Sequence, residues 1–584
     1  MKNLILAVFL AAAPAEAVAP IDPALAAADR AAGQAEALQV LSGDYWAVQM
    51  RLSPLYATFV NYPGFNEKLD DNGPEGRAAE EKEWKTLQAR LAQIDLNLLS
   101  ESDRVTAEVL RWQLDLSLRR FRHKFYQWDV DHMDGPQSWI PSVIALAQPM
   151  KTGDDAEALL TRMRALPRYF QNQIANLKEG LKEGRVAAKV PVEKTIRQLE
   201  DLAKTAPDRS PFVAAAKKLP DPLRAKYLPL VVAAVKELSE PANSDYLKFL
   251  KTEYLPRARP VKIGLSFLPG GSDAYRYQIL YHTTLDKTPA ELHRLGLKEL
   301  EGIHREMEAI AAKQGHKGPL KAFLDQLRKN PANFYKTREE ILKDAQTLVA
   351  RSQAKLPEFF GILPKTPLIV KPVEDYKEKN ETAARYFQPP DDLSRPGIYY
   401  INTFEPPTRP RFAMTSLAAH EGVPGHHFQI ALALEQRSLP AFRRNAGFNA
   451  FVEGWALYAE RLADEMGLYQ DDLSRLGMLS DQAWRAARLV IDTGLHAEGW
   501  TRERAIDFMR DNTISSQEEC ETEIDRYTIW PGQALSYKVG QLELQQLRAA
   551  QASKLGAKFD IRAFHDSILR NGAVPLTLLR KQLQ

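Results

Sequence analysis

Over most of the first 360 residues apolar side chains recur every three to four positions, as in 77–99, 102–125, 192–202 and 289–312, with Glu, Lys and Arg between them. That spacing lines one face of a helix with hydrophobic groups and predicts a mainly helical protein. Pro, Gly and Ser cluster at Asp134-Gly135-Pro136, from Pro207 to Pro222 and from Pro256 to Gly271, and each cluster marks a break between helices. The last one suggests a boundary between a helical N-terminal domain, 18–260, and a second domain, 261–584.

The pattern changes between Leu363 and Phe412, which hold nine of the 37 prolines. Two β-prone runs, Leu368-Ile369-Val370 and Gly397 to Thr403, predict a small sheet there. Proline flanks on the second run suit an edge strand able to pair with an extended peptide, and equally suit a surface hairpin. Further on, Ser516 and Glu519 have the capping-box spacing of a helix start, and another helix is expected after Pro531.

Composition narrows the chemistry. A chain of 584 residues, 45% hydrophobic and 26% charged, has ample material for a globular core and no signature of disorder. A net charge of +3, with no basic run interleaved with aromatics, argues against a nucleic-acid partner. The single cysteine, Cys520, excludes an intramolecular disulfide and a cysteine metal cage, and its acidic neighbours disfavour a reactive thiolate.

The chain begins with Lys2, an apolar run from Leu4 to Ala13 and the small-residue site Ala15-Glu16-Ala17, which reads as a signal peptide over 1–17. No cysteine follows to take a lipid. The run is shorter than the roughly 20 residues that span a bilayer. The expectation is therefore a soluble periplasmic or secreted protein without stable membrane insertion.

The candidate chemistry lies in Thr415-Ser416-Leu417-Ala418-Ala419-His420-Glu421-Gly422-Val423-Pro424-Gly425-His426-His427-Phe428-Gln429, which predicts an apolar helix continuing to Leu434. Two histidines on one helix can hold zinc while the intervening Glu421 accepts a proton from water. In the common spacing the second histidine is four residues on, about 40° round the helix. Here that position is Pro424, and His426 and His427 stand six and seven residues on. An undistorted helix favours His427; a bulge at Pro424-Gly425 favours His426. An ordinary polar helix start with satisfied imidazoles is the structural alternative.

The run His-Glu-x-x-Pro-Gly-His, with Gln further along, resembles the signature of the bacterial domain-of-unknown-function family 885. The resemblance implies His426 as the ligand and His427 as a neighbour. It also implies a gluzincin-like, mostly helical zinc peptidase architecture, with one Zn²⁺ and a third ligand on a later helix. Glu453, in Glu453-Gly454-Trp455-Ala456-Leu457-Tyr458-Ala459-Glu460, matches the family's element and is that expected ligand. Glu460, two turns on and on nearly the same face, is either the hydrogen-bond partner of a ligating histidine or an alternative ligand.

Two downstream segments could supply a donor for the oxyanion formed during hydrolysis. Asp492 and His496 are four apart, so the carboxylate could orient a catalytic His496; a histidine that merely suits a helix end is the alternative. The second segment, Arg526-Tyr527-Thr528-Ile529-Trp530-Pro531-Gly532-Gln533-Ala534-Leu535-Ser536-Tyr537-Lys538, resembles a further family element. By that resemblance Tyr537 is the oxyanion donor and Arg526, Tyr527 and Gln533 are substrate-binding residues; a guanidinium suits a substrate carboxylate.

These observations lead to a zinc-dependent peptidase with metal ligands His420, His426 and Glu453 and general base Glu421. Its rivals are a zinc-dependent amidase or esterase acting on an envelope metabolite, and a non-catalytic helical binding or scaffold protein.

Overall fold

The computed structural model describes residues 23–583 apart from 375–377 and 379–381; the expected signal peptide lies outside the described residues. Helices dominate, joined by one three-stranded sheet. No described helix is long and apolar enough to cross a membrane.

After α1 (Pro23–Leu52), the periodic segments 77–99, 102–125 and 289–312 become α2 (Pro74–Leu91), α3 (Glu101–Arg120) and α4 (Pro289–Lys313), and 192–202 lies within the helix Lys189–Lys204. Helix α2 ends earlier than the apolar pattern, because Asp95 bonds the Asn97 N–H and turns the chain into a single tight turn at Leu96–Leu98. Leu38, Leu41 and Tyr45 of α1, and Trp84, Leu87 and Leu91 of α2, are the buried residues their spacing suggests.

These first helices share one continuous core with the C-terminal half. Tyr45 packs edge-on against Phe442 at 5.3 Å between ring centroids, and buried Arg443 donates to Thr106 Oγ1 at 2.8 Å. A second apolar cluster gathers Leu55 with residues from Val130 to Ala258. Asp131, accepting from Trp530 Nε1 at 2.8 Å, and Lys194, paired with Asp525 at 2.5 Å, tie that cluster to the C-terminal helices.

The sheet contains β1 (Leu368–Pro372), β2 (Ala384–Phe387) and β3 (Gly397–Ile401), in the order β1-β3-β2. Strand β3 runs parallel to β1 and antiparallel to β2, and all five of its residues are buried. This corrects the expectation of an edge strand or surface hairpin at 397–403: β3 is central, and both of its edges are occupied. The misleading signal was proline, which lies outside the paired residues of β3, while the proline within the sheet, Pro372, belongs to the edge strand β1.

The remaining elements that build the site are α5 (Arg338–Phe359), α6 (Met414–Glu421), α7 (His426–Glu435), α8 (Asn449–Glu465), α9 (Asp472–Thr493), α10 (Gln517–Ile529) and α11 (Ser536–Leu555). Helix α10 opens with the expected capping box of Ser516 and Glu519.

Candidate metal centre

The helix expected from Thr415 to Leu434 is two helices, and the break between them sets the site. Helix α6 ends on Glu421, four turn residues follow, and α7 begins at His426. The Val423–Pro424 peptide is cis. Gly425 passes directly against the end of α6: a Cβ there would lie 2.0 Å from the His420 carbonyl oxygen and 2.3 Å from that of Ala419. Any larger residue would push the two helices apart.

The carbonyls freed by the break are recovered from neighbouring helices. Ser352 Oγ on α5 donates to Val423 O at 2.6 Å, and Trp455 Nε1 on α8 donates to Pro424 O at 2.8 Å. A buried carbonyl left unpaired costs about 1–3 kcal/mol, so these bonds fix the turn.

Restarting the helix at His426 brings its ring to 4.8 Å from that of His420, with the planes nearly perpendicular at 88°. Glu453 on α8 faces both: its Oε2 lies 3.6 Å from His420 Nε2 and 3.3 Å from His426 Nε2. Each of the three residues offers a ligand atom within 4.8 Å of the others. Ligands about 2.1 Å from a tetrahedral ion stand roughly 3.4 Å apart, so the two measured separations suit such an ion.

One orphaned atom strengthens that fit: Glu453 Oε2 is buried without a hydrogen-bond partner among the described residues, whereas the likewise unpartnered His426 Nδ1 is not the nitrogen that faces Glu453. His420 Nδ1 meets Glu460 Oε1 at 2.8 Å, which turns Nε2 toward Glu453 and assigns Glu460 the position behind the imidazole. Two imidazoles and one carboxylate are a donor set that zinc accepts, with a fourth position left open.

Electrostatics agree with a site that binds a cation. Burial alone would lower His420, but the Glu453 carboxylate facing it and its hydrogen bond to Glu460, with the Glu460 and Glu421 charges, raise it to about 10. Burial likewise opposes ionisation of Glu453, yet the two imidazoles hold it well below the ordinary carboxylate value. A proton on His420 occupies the place that a divalent ion would take.

His427 is turned away from the cluster. Its Nδ1 meets the Tyr386 hydroxyl on β2 and its Nε2 the Thr366 carbonyl, both at 3.1 Å, and burial lowers it to about 4. The sheet thus lies beside the histidine-bearing helices.

Glu421, at the end of α6, is half-buried, and its carboxylate forms no hydrogen bond or ion pair with the described residues. Its charge is felt by Tyr399 on β3, whose hydroxyl is held well above its ordinary value, by burial first and by Glu421 second.

Tyr537 reaches the cluster because α8 and α11 cross in backbone contact. A Cβ on Gly454 would lie 2.4 Å from Gly540 Cα, and one on Gly540 would lie 1.8 Å from the Ala450 carbonyl. Tyr537 stands one turn before Gly540, and its ring lies parallel to that of His420, 6.4 Å away. Its hydroxyl accepts from Arg526 Nη2 at 3.3 Å and Gln533 Nε2 at 3.4 Å. With two donors already directed at its oxygen, the phenol's own proton points elsewhere.

The other expected site residues are placed differently. Tyr527 is buried at 1% exposure with its hydroxyl accepting from Trp484 Nε1 and Arg488 Nε, so burial keeps it from a substrate. Arg526 and Gln533 touch Tyr537. His496 is buried with Nδ1 bonded to the Leu265 N–H and Nε2 to the Tyr527 carbonyl, so neither nitrogen is left for a reacting group. Asp492 does not orient His496; it accepts from the Tyr275 hydroxyl and the Gly532 N–H. Cys520 is buried, and burial together with Glu519 pushes its thiol up to about 12.

Sequence reasoning missed the polar stripe of α9. Arg488 lies over the Tyr537 ring at 4.4 Å and pairs with Glu523, while Gln482 donates to Glu460. The spacing of Gln482, Arg485, Arg488 and Asp492 along a buried helix was the available signal.

Comparison with known proteins gives the fold close relatives but no activity. A crystal structure of a candidate lipoprotein from Colwellia psychrerythraea is 30% identical, with a TM-score of 0.87 over 94% of this chain and 98% of that chain. A structure of a candidate lipoprotein of unknown function from Shewanella oneidensis shares the fold at 21% identity, TM-score 0.70, covering 93% of this chain and 98% of that one. No curated protein matches. Residues 54–583 match the model of the bacterial proteins of unknown function called DUF885, and the chain belongs to that family.

Proposed function

We propose that this chain is an exported, zinc-dependent peptidase of the bacterial envelope with a gluzincin-like site. The observation that carries the reading is the convergence of His420, His426 and Glu453, with Glu460 behind His420 and an unpaired Glu421 beside them. Zinc held by those three side chains supplies Lewis acidity to a substrate carbonyl and to water.

Glu421 takes a proton from the water that attacks the carbonyl carbon and delivers it to the amine nitrogen as the C–N bond breaks. Tyr537 donates its hydroxyl proton in a hydrogen bond to the carbonyl oxygen as negative charge gathers there. Arg526 and Gln533 hold the phenol in place for that contact. Export is supported by the charged, apolar and small-residue order of the first 17 residues and by structural neighbours described as candidate lipoproteins.

The test is elemental analysis of the purified protein together with digestion of a peptide library, with non-peptide amides and esters in parallel, with and without chelator. One zinc per chain and chelator-sensitive peptide cleavage are expected. Glu421→Gln should keep the zinc and lose about 10²- to 10⁴-fold in turnover. Absence of zinc, or cleavage indifferent to chelator, overturns the reading.

A further inference from the structure

Behind Glu460 lies a closed set of buried polar side chains drawn from three helices. Gln482 on α9 and Lys538 and Gln541 on α11 are all at most 2% exposed. Gln482 Nε2 donates to Glu460 Oε2 at 3.0 Å. Lys538 Nζ donates to Gln482 Oε1 at 2.8 Å and to Gln541 Oε1 at 2.7 Å. Gln541 Nε2 closes the set, donating to Gln482 Oε1 at 2.8 Å and to the Leu457 carbonyl at 3.0 Å.

A glutamine amide can present either its oxygen or its NH₂ to a neighbour, and only the surrounding groups decide which. An ammonium has donors and no acceptor, so Lys538 compels both glutamine oxygens to face it. With its oxygen committed, Gln482 has only N–H to offer Glu460. The reverse orientation would set an amide oxygen against the Glu460 carboxylate, and the Gln541 NH₂ against the Gln482 NH₂. Burial lowers Lys538 to about 7; a neutral amine keeps two N–H donors beside its lone pair, and the Glu460 carboxylate, an acceptor only, still draws the Gln482 NH₂ and leaves Oε1 toward Lys538.

We propose that Lys538, acting through Gln482, is a positioning residue for His420: it fixes the direction of the hydrogen-bond chain that runs from α11 through Gln482 of α9 to Glu460, which holds His420 Nδ1–H and aims Nε2 at the metal position. The inference rests on the metal reading above for its consequence, and on donor chemistry alone for its geometry. As an ammonium, Lys538 is the one group in this set whose donor role no rotation can reverse. Its place beside Tyr537 on α11 couples the alignment of the oxyanion donor to that of the ligand.

The test compares wild type with Lys538→Met, which keeps the chain length and removes the donors. In metal-free, histidine-¹⁵N-labelled protein, a slowly exchanging Nδ1 proton is expected on His420, assigned by its absence in His420→Asn. That proton should exchange at least about tenfold faster in Lys538→Met, and zinc affinity by chelator competition should fall about 10- to 100-fold. Unchanged exchange, with zinc affinity within about twofold of wild type, overturns the proposal. Gln482→Met makes the same comparison if Lys538→Met does not fold, as judged by circular dichroism. A wild type that takes up no zinc removes the peptidase reading, while the exchange measurement still decides the relay.

Discussion

His426 and His427 are adjacent in the chain and face opposite ways: His426 Nε2 lies 3.3 Å from Glu453 Oε2, whereas His427 is held by Tyr386 and the Thr366 carbonyl. His426→Ala is therefore expected to abolish stoichiometric zinc uptake. His427→Ala should keep the metal and lose about 1–3 kcal/mol of stability, because buried partners are left unpaired. Elemental analysis and denaturant unfolding of the two variants separate these outcomes; zinc loss confined to His427→Ala would sink the ligand assignment.

Tyr537→Phe removes the hydroxyl and leaves the stacked ring. Its kcat should fall about 10²- to 10³-fold with zinc content unchanged. Arg526→Met should also act mainly on kcat, since Arg526 touches Tyr537. A rise in KM alone in that variant would instead mark Arg526 as a substrate-carboxylate binder.

Zinc uptake should be coupled to proton release. His420 in the metal-free site holds its proton up to about pH 10, so the ion must displace one proton at neutral pH. Affinity should accordingly climb by about one decade per pH unit below that value and level off above it. Isothermal titration in buffers of different ionisation enthalpy measures the released proton directly. Uptake without proton release between pH 7 and 8 would contradict the His420–Glu460–Glu453 arrangement.

Asp492 gives a stability effect of known sign. Burial raises it to about 7, opposed by its bonds to Tyr275 and Gly532. The folded chain therefore binds this proton between about pH 4 and 7 while the unfolded chain does not, and the stability it contributes falls as pH rises through that window. The slope is at most about 1.4 kcal/mol per pH unit. Asp492→Asn lacks this slope, so its stability relative to wild type should improve from pH 4 to pH 8. A constant difference in unfolding midpoint across that range would show that Asp492 ionises normally.

Much of the site was legible because its residues carry unusual chemistry in short runs. His420-Glu421 and Glu453-Gly454-Trp455 each sit within one helix, and the i to i+7 spacing of Glu453 and Glu460 placed both on one face, as found. The role of His496 was misread for the opposite reason: an Asp four residues from a His is compatible with pairing, but the chain turns each toward a different backbone group. Likewise the apolar run of β3 indicated a strand and could not reveal which strands would flank it.

The sequence by itself determined the helical character and the small sheet, and it singled out histidines and carboxylates as candidates for a cation site, because side-chain periodicity and ligand chemistry are local properties. The tertiary structure decided that His426 and not His427 faces Glu453, since that depends on a turn clamped by Ser352 and Trp455 from other helices. It also decided that Gln482 and Lys538 stand behind Glu460. A buried polar group takes its role from whichever partners distant segments bring within bonding distance, and no local pattern contains that information.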